Sequence, residues 1–352
     1  MTKKSQAKVF SYLKKNRLSL ILVALFILFF CSSFFLSPKI DTQGMLHVVY
    51  IDVEQGDATL IVSPNGKTML IDTGEADMWE QVSKTLTAYG ISQIDVFLCT
   101  HPHADHAGGL LQLSRRFPIK KAYLPIVPAE NEQDIALQDV LQARNIPFTF
   151  IQEYTEISFD EVCRFEIFGL SKTYKETNNY SLVSKLTYQN NTFLFTGDAE
   201  KEAEGFLIEA YGDALQAQIW QLGHHGSNTS NSEAFLQAVQ PAYAVVSCGL
   251  AGSSGHPHGE RLALLNENNI PLFRTDLQGN ITLISDGTTI RTAITPEVPT
   301  PLTENFSIVY KTPSGGTYHR ASCDVLSEST LQISRKEATS AGLEACKKCF
   351  KH

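Results

Sequence analysis

Thr100-His101-Pro102-His103-Ala104-Asp105-His106-Ala107-Gly108-Gly109 sets the reading of the whole chain. Four candidate metal ligands, His101, His103, Asp105 and His106, fall within six residues, directly after the apolar run Ile94-Asp95-Val96-Phe97-Leu98-Cys99. That run reads as a buried strand that stops where the ligands begin. Imidazole suits zinc, iron or manganese, and a carboxylate among imidazoles adds the charge a divalent ion needs without closing the site to water. The plainer reading is a polar loop that happens to be rich in histidine. Three histidines and an aspartate packed so closely would serve a core poorly.

Downstream, two more apolar strands end in ligand-type residues. Thr192-Phe193-Leu194-Phe195-Thr196-Gly197-Asp198 aims a carboxylate off a strand end, and Gln218-Ile219-Trp220-Gln221-Leu222-Gly223-His224-His225-Gly226-Ser227 delivers two imidazoles. Gly-Asp alone is more often a turn. Three strand ends carrying His, Asp and His-His make a stronger joint case, because the strand ends of a sheet converge on one rim. Around them the pattern predicts strands at 46–52, 58–63 and 67–71, the last two joined by the hairpin signal Pro64-Asn65-Gly66. Helices are expected over 77–89, 107–115, 132–144, 201–211, 232–239 and 259–266. Further strands are expected at 121–124, 148–151, 164–168, 181–188, 192–195 and 243–247, and around Leu272 and Ile281, with Asn190-Asn191 as a tight turn. Strands thus come in runs as well as alternating with helices. That pattern predicts an α/β domain over 45–293 with two sheets and outer helices, rather than one doubly wound sheet.

These motifs resemble the metallo-β-lactamase fold, an αββα sandwich. Asp52-Val53-Glu54-Gln55-Gly56-Asp57-Ala58, Ile71-Asp72-Thr73-Gly74, His101-Pro102-His103, Phe195-Thr196-Gly197-Asp198-Ala199 and His224-His225-Gly226-Ser227 narrow the likeness to the hydrolase domain of ComEC-type competence proteins, from about Leu46 to Asp286. The resemblance implies His101 and His103 as ligands of one ion, Asp105 and His106 as ligands of a second, and Asp198 as the bridge. It makes His224 the strand-end ligand, with His225 beside it as a substrate or positioning group, and gives Asp72 the task of orienting a ligand imidazole. Many dinuclear relatives carry another histidine before the Gly-Asp strand. Between His106 and His224 there is none, and Asn178-Asn179-Tyr180-Ser181 stands in that region. One ion or two, Zn2+ or Mn2+, therefore stays open. Glu54 stands where the family usually has glycine; if that turn needs a positive φ, Glu costs about 1 kcal/mol or more there. Gly255-His256-Pro257-His258-Gly259 also matches a late motif of this branch. Its histidines are candidates to bind an oxyanion or protonate a leaving group, unless they are merely solvated at a helix start.

Such a site predicts hydrolysis by metal-activated water, with Asp105 or Asp198 accepting a proton and His225 and His258 assisting, and needs no serine or cysteine nucleophile. The expected substrate is a phosphodiester, DNA foremost. The alternatives are another ester, such as a cell-envelope phosphocholine ester or a lactone, and a non-catalytic nucleic-acid-binding protein.

Composition, at 43% hydrophobic and 19% charged residues, excludes disordered and collagen-like classes. The net charge of -8 argues against a protein that coats nucleic acid, though not against a nuclease whose metal supplies local positive charge. At the N-terminus, a basic segment (1–17) precedes Leu18 to Leu36, nineteen residues without a charge, which is the length of a membrane-spanning helix. A single-pass anchor over 18–37 is expected, with the basic flank cytoplasmic and the catalytic domain outside. After the proline-rich linker at 294–305, His319, Cys323, Cys346 and Cys349 in 306–352 have four-ligand character for a structural Zn2+. This tail resembles small Ada-like metal-binding modules; a redox Cys-x-x-Cys or a disulfide is the alternative.

Overall fold

The computed structural model describes residues 40–42, 44–249 and 255–292, and in the C-terminal segment 308–311, 316–319, 331–334, 338 and 341–347. The basic segment 1–17, the apolar stretch 18–37, the linker 294–305 and both Cys323 and Cys349 lie outside the described residues. Among the described residues no helix is long and apolar enough to cross a membrane.

Among the described residues fifteen strands precede the linker: β1 (Leu46–Tyr50), β2 (Thr59–Val62), β3 (Thr68–Ile71), β4 (Val96–Leu98), β5 (Ala122–Pro125), β6 (Phe148–Ile151), β7 (Thr155–Asp160), β8 (Cys163–Phe168), β9 (Val183–Tyr188), β10 (Asn191–Phe195), β11 (Ile219–Gln221), β12 (Tyr243–Val246), β13 (Leu272–Arg274), β14 (Ile281–Ser285) and β15 (Ile290–Arg291). They form two mixed sheets, ordered β15-β14-β1-β2-β3-β4-β5-β6 and β13-β12-β11-β10-β9-β8-β7. Strands β3 to β6 run parallel in the first sheet and β10 to β13 in the second, so the ends of each run open onto one rim.

Side-chain alternation decides the layering. Phe193 and Phe195 point inward with Tyr50, Leu98 and Phe165 to form the core between the sheets, each 0% exposed. Leu194 and Trp220 point the other way, against Phe235, Leu207 and Leu265 of the outer helices. Phe193-Leu194-Phe195 reads as an unbroken apolar run because both faces of its strand are buried. On the other sheet, helices α1 (Trp79–Ala88), α3 (Leu110–Arg116) and α4 (Glu132–Ala143) bury Val82, Leu86, Leu113 and Leu141. Helices α5 (Lys201–Tyr211), α6 (Glu233–Val239) and α7 (Gly259–Glu267) cover the second sheet. The expected αββα arrangement is the one observed.

Three local differences have physical reasons. The helix expected over 107–115 is two helices, a single turn α2 (Ala104–Ala107) and then α3, parted by Gly108-Gly109. A Cβ on Gly109 would sit 2.6 Å from the Thr73 carbonyl, so glycine lets the ligand loop close onto the Asp72-Thr73-Gly74 turn. The tight turn is Gln189-Asn190, one residue earlier than expected, because Asn191 belongs to β10 opposite Tyr188 and its Oδ1 accepts the Ser285 hydroxyl at 2.6 Å. Strand β7 was not expected. It is an edge strand whose Ile157 and Phe159 face in while Glu156 and Ser158 stay in water, a short alternation that the charged turn after it obscures.

Cys99, Cys163 and Cys248 are free thiols buried in the core. In the tail, four short strands pair in one sheet, and the Cys346 N–H donates to the Tyr318 carbonyl at 2.9 Å, which brings Cys346 beside His319.

Candidate metal centre

Each ligand-bearing stretch leaves the end of a strand. β3 ends at Asp72, β4 delivers Thr100 to His106, β10 delivers Asp198, and β11 runs into a short 3-10 turn holding His224 and His225. Asp57 comes from the loop after β1, where its N–H donates to the Asp105 carbonyl at 3.1 Å. A Cβ at Gly56 (φ +140°) would collide with that same carbonyl, so only glycine brings this loop against the ligand loop.

Asp198 is the centre of the arrangement, 1% exposed. Its Oδ1 faces His106 Nε2 at 3.2 Å and His225 Nε2 at 3.7 Å. Its Oδ2 faces His101 Nε2 and His224 Nε2, each at 3.7 Å. Asp105 Oδ2 lies 3.3 Å from His225 Nε2, and His103 Nδ1 lies 2.9 Å from His101 Nε2. Asp57, His106, Asp198 and His225 can each offer one donor atom such that all four lie within 4.8 Å of one another. Two ligands held tetrahedrally at ~2.1 Å from one ion are ~3.4 Å apart, so these separations are what a divalent ion requires. His106 Nε2 and Asp198 Oδ1 are buried and face each other at 3.2 Å with no hydrogen bond to any other group. Buried polar atoms are rarely left so, and a cation between them satisfies both.

Neighbouring groups turn each imidazole. His106 Nδ1 donates to Asp72 Oδ2 at 2.8 Å, which leaves Nε2 as the lone-pair atom. Asp72 also accepts the Thr100 N–H at 2.8 Å and the Thr100 hydroxyl at 2.6 Å. With its proton committed to Asp72, Thr100 Oγ1 accepts from His101 Nδ1 at 3.2 Å, and His101 too presents Nε2. The Ser247 carbonyl, which can only accept, lies 3.1 Å from His225 Nδ1 and assigns that nitrogen the proton. His224 Nδ1 faces Thr229 Oγ1 at 3.1 Å and Glu200 Oε1 at 3.4 Å. All four Nε2 atoms are thereby turned toward one carboxylate.

Charge coupling is correspondingly strong. Burial alone would raise Asp198, but His106 and His225 outweigh it and hold the carboxyl well below its usual range. Burial opposes protonation of His225, yet Asp198 and Asp105 carry it up to about 10. His106 is raised in the same way by Asp198 and Asp72, whereas burial keeps His101 neutral. Burial pushes Asp72 up to about 6 against the pull of His106. In the metal-free protein, protons on His106 and His225 stand where a cation's charge would be.

The structure brings His101, His103, Asp105, His106, Asp198, His224 and His225 into one cluster. Of the late pair, His256 packs against the His224 ring at 5.3 Å between centroids and is depressed to about 4 by burial and by His225 and His224. His258 lies one step further out, its Nδ1 accepting the Asn228 N–H at 3.0 Å. Asp57 had no role in the sequence reading. Its motif, Asp52 to Ala58, contributed to the family likeness without assigning Asp57 a role, and its contact with a residue 168 positions away, His225 Nδ1 at 3.7 Å, shows its place. Ser181, from the segment standing where relatives have a histidine, sets its hydroxyl 3.3 Å from His101 Nδ1 and accepts the Asp198 N–H at 3.0 Å. Glu54 does adopt a positive φ, 56°.

A family model described as the metallo-beta-lactamase superfamily matches residues 51–250, more than half of the chain. The chain is 30% identical over 267 residues to ComE operon protein 3 of Bacillus subtilis, covering 70% of this chain and 34% of that protein. It is 30% identical over 243 residues to competence protein ComA of Neisseria gonorrhoeae, covering 69% of this chain and 33% of that one. Recombination protein 2 of Haemophilus influenzae is 26% identical over 280 residues, 76% of this chain and 32% of that one. The chain thus spans about a third of the length of these curated relatives. Sheets, strand-end donors and family model agree, and the chain belongs to the metallo-beta-lactamase superfamily, in the branch of the ComEC-type competence proteins.

Proposed function

We propose that this protein is a membrane-anchored, metal-dependent phosphodiesterase that cleaves DNA outside the membrane. One observation carries the hydrolase reading: the buried Asp198, with His106 Nε2 3.2 Å from its Oδ1, sits among further imidazole and carboxylate donors at ligand spacing. The relatives are competence and recombination proteins by name, which favours DNA among phosphodiesters. The apolar stretch Leu18 to Leu36 behind a basic flank supports the anchor.

His101, His103, Asp105, His106, Asp198, His224 and His225 would hold Zn2+ or Mn2+, which supplies an activated water and charge to oppose the developing oxyanion. The chain's own groups do the rest. Asp105, 26% exposed in its side chain against 2% for Asp198, is the carboxylate that solvent reaches and is placed to accept the proton of the attacking water. His258, with Nδ1 held as an acceptor, carries its proton on Nε2 and can donate to a phosphoryl oxygen or the leaving group. In the tail, His319, Cys323, Cys346 and Cys349 would take a structural Zn2+.

The test is the full chain in detergent with Mn2+ or Zn2+, assayed on double- and single-stranded DNA, RNA, a model diester, a phosphocholine ester and a lactone, with His103→Ala as blank. Cleavage of DNA by the wild type alone is expected. Turnover confined to the phosphocholine ester or lactone would replace the substrate, and no turnover of any of them would overturn the hydrolase reading.

A further inference from the structure

The family's usual third imidazole for the first ion is missing, since no histidine lies between His106 and His224. The arrangement around Asp198 bears on what could stand in for it. The donors divide between the two oxygens of Asp198: Oδ1 has His106 and His225, with Asp105 against His225, and Oδ2 has His101 and His224, with His103 against His101. Each oxygen therefore has two imidazole Nε2 atoms and one further donor, four ligating atoms in all. Here both His224 (φ 51°, ψ 47°) and His225 (φ 54°, ψ 28°) are left-handed, which swings their side chains to opposite sides of the carboxylate. A left-handed non-glycine residue costs about 1–2 kcal/mol, and two in succession point to a functional demand rather than to chance. The surroundings differ to match. His225 is 1% exposed and held by the Ser247 carbonyl, whereas the His224 side chain is 22% exposed and held at Nδ1 by Thr229 and Glu200.

We infer that His224 replaces the missing histidine and completes the ion position of His101 and His103, while His225 serves the position of Asp105 and His106, so the His-His turn alone furnishes an imidazole to each of two ions. The inference rests on the metal-hydrolase reading and deepens it.

Mn2+ titration of the full chain in detergent, followed by calorimetry and electron paramagnetic resonance, tests it. Manganese is the probe because thiolates of the tail select softer ions. Wild type is expected to take two Mn2+ with the signature of an exchange-coupled pair. His224→Ala is expected to keep one ion, lose the coupling and bind the second ~10–100-fold more weakly. His225→Ala should weaken the other ion and likewise abolish the coupling. Because His224 is left-handed, His224→Asn, which tolerates that conformation, decides the matter should the alanine variant fail to fold. A coupled pair surviving in these His224 variants with affinities within about twofold overturns the assignment. A wild type that holds a single ion and still hydrolyses its substrate overturns it too, while leaving the hydrolase reading intact. A wild type that binds neither Mn2+ nor Zn2+ in this domain overturns both.

Discussion

Asp72→Asn separates the two tasks of the most deeply buried carboxylate in the centre. Asp72 is 0% exposed, sits at φ 57°, and accepts three protons: from Thr100 N at 2.8 Å, Thr100 Oγ1 at 2.6 Å and His106 Nδ1 at 2.8 Å. Asparagine keeps the shape, tolerates the left-handed backbone and retains one acceptor for the Thr100 N–H. Its amide group then faces Thr100 Oγ1 and His106 Nδ1. Thr100 Oγ1 can accept from that amide and still accept from His101 Nδ1, 3.2 Å away. His106 must shift its proton to Nε2, the atom that would ligate. Stability of the metal-free protein changes little, because the lost hydrogen bonds are offset. Burial raises Asp72 from 3.8 to about 6 even against the pull of His106 and Thr100, so its ionised form is disfavoured overall, and the neutral amide is spared that penalty. Losing the pull of His106 and the Thr100 hydroxyl bond cancels part of that relief, so the net change is about 1 kcal/mol or less. Metal affinity, in contrast, falls ~10–100-fold. Urea unfolding in chelator, followed by the fluorescence of buried Trp220, reads the first quantity, and Mn2+ titration reads the second. Unchanged affinity would refute the tautomer argument. A stability loss above ~3 kcal/mol would show that the hydrogen bonds of Asp72 outweigh its desolvation.

Four further outcomes are expected. His225, raised from 6.5 to about 10, binds a proton more in the native than in the unfolded state across that window. Its contribution is therefore complete below about pH 6.5 and is lost as pH rises towards 10, which urea unfolding of the metal-free protein at stepped pH will show as declining stability. Metal binding at pH 7 should expel protons from His106 and His225, and calorimetry in buffers of different ionisation enthalpy will read that release as a buffer-dependent heat. Glu54→Gly relieves a left-handed backbone at an exposed position and should raise stability by about 1 kcal/mol without altering metal affinity; a lower urea midpoint contradicts it. Asp57→Asn removes a buried charge beside His225 and should bring the titration of His225 below its native value, visible by NMR of the imidazole protons, while the fold persists.

The sandwich was largely legible along the chain because its signals are local. Phe193-Leu194-Phe195 reads as a strand buried on both faces, and the sudden polarity of Thr100 to His106 marks a strand end whichever sheet it enters. Edge strand β7 was not legible, since two inward residues in six make a weak period and its pairing with β8 is decided by the finished sheet. The Asn191 turn slipped by one residue because its anchor, Ser285, is 94 residues away.

From the sequence alone followed the residue types of the centre, their strand-end positions and the family they resemble, because ligand chemistry and strand periodicity are properties of short stretches. Only the tertiary structure decided how those residues share one carboxylate. Whether His224 and His225 face the same oxygen of Asp198 or opposite ones depends on two backbone torsions that the residue types do not dictate. The place of Asp57 depends on a loop that only Gly56 lets approach the Asp105 carbonyl. Both depend on distances between segments far apart in the chain, and only the packed core fixes those distances.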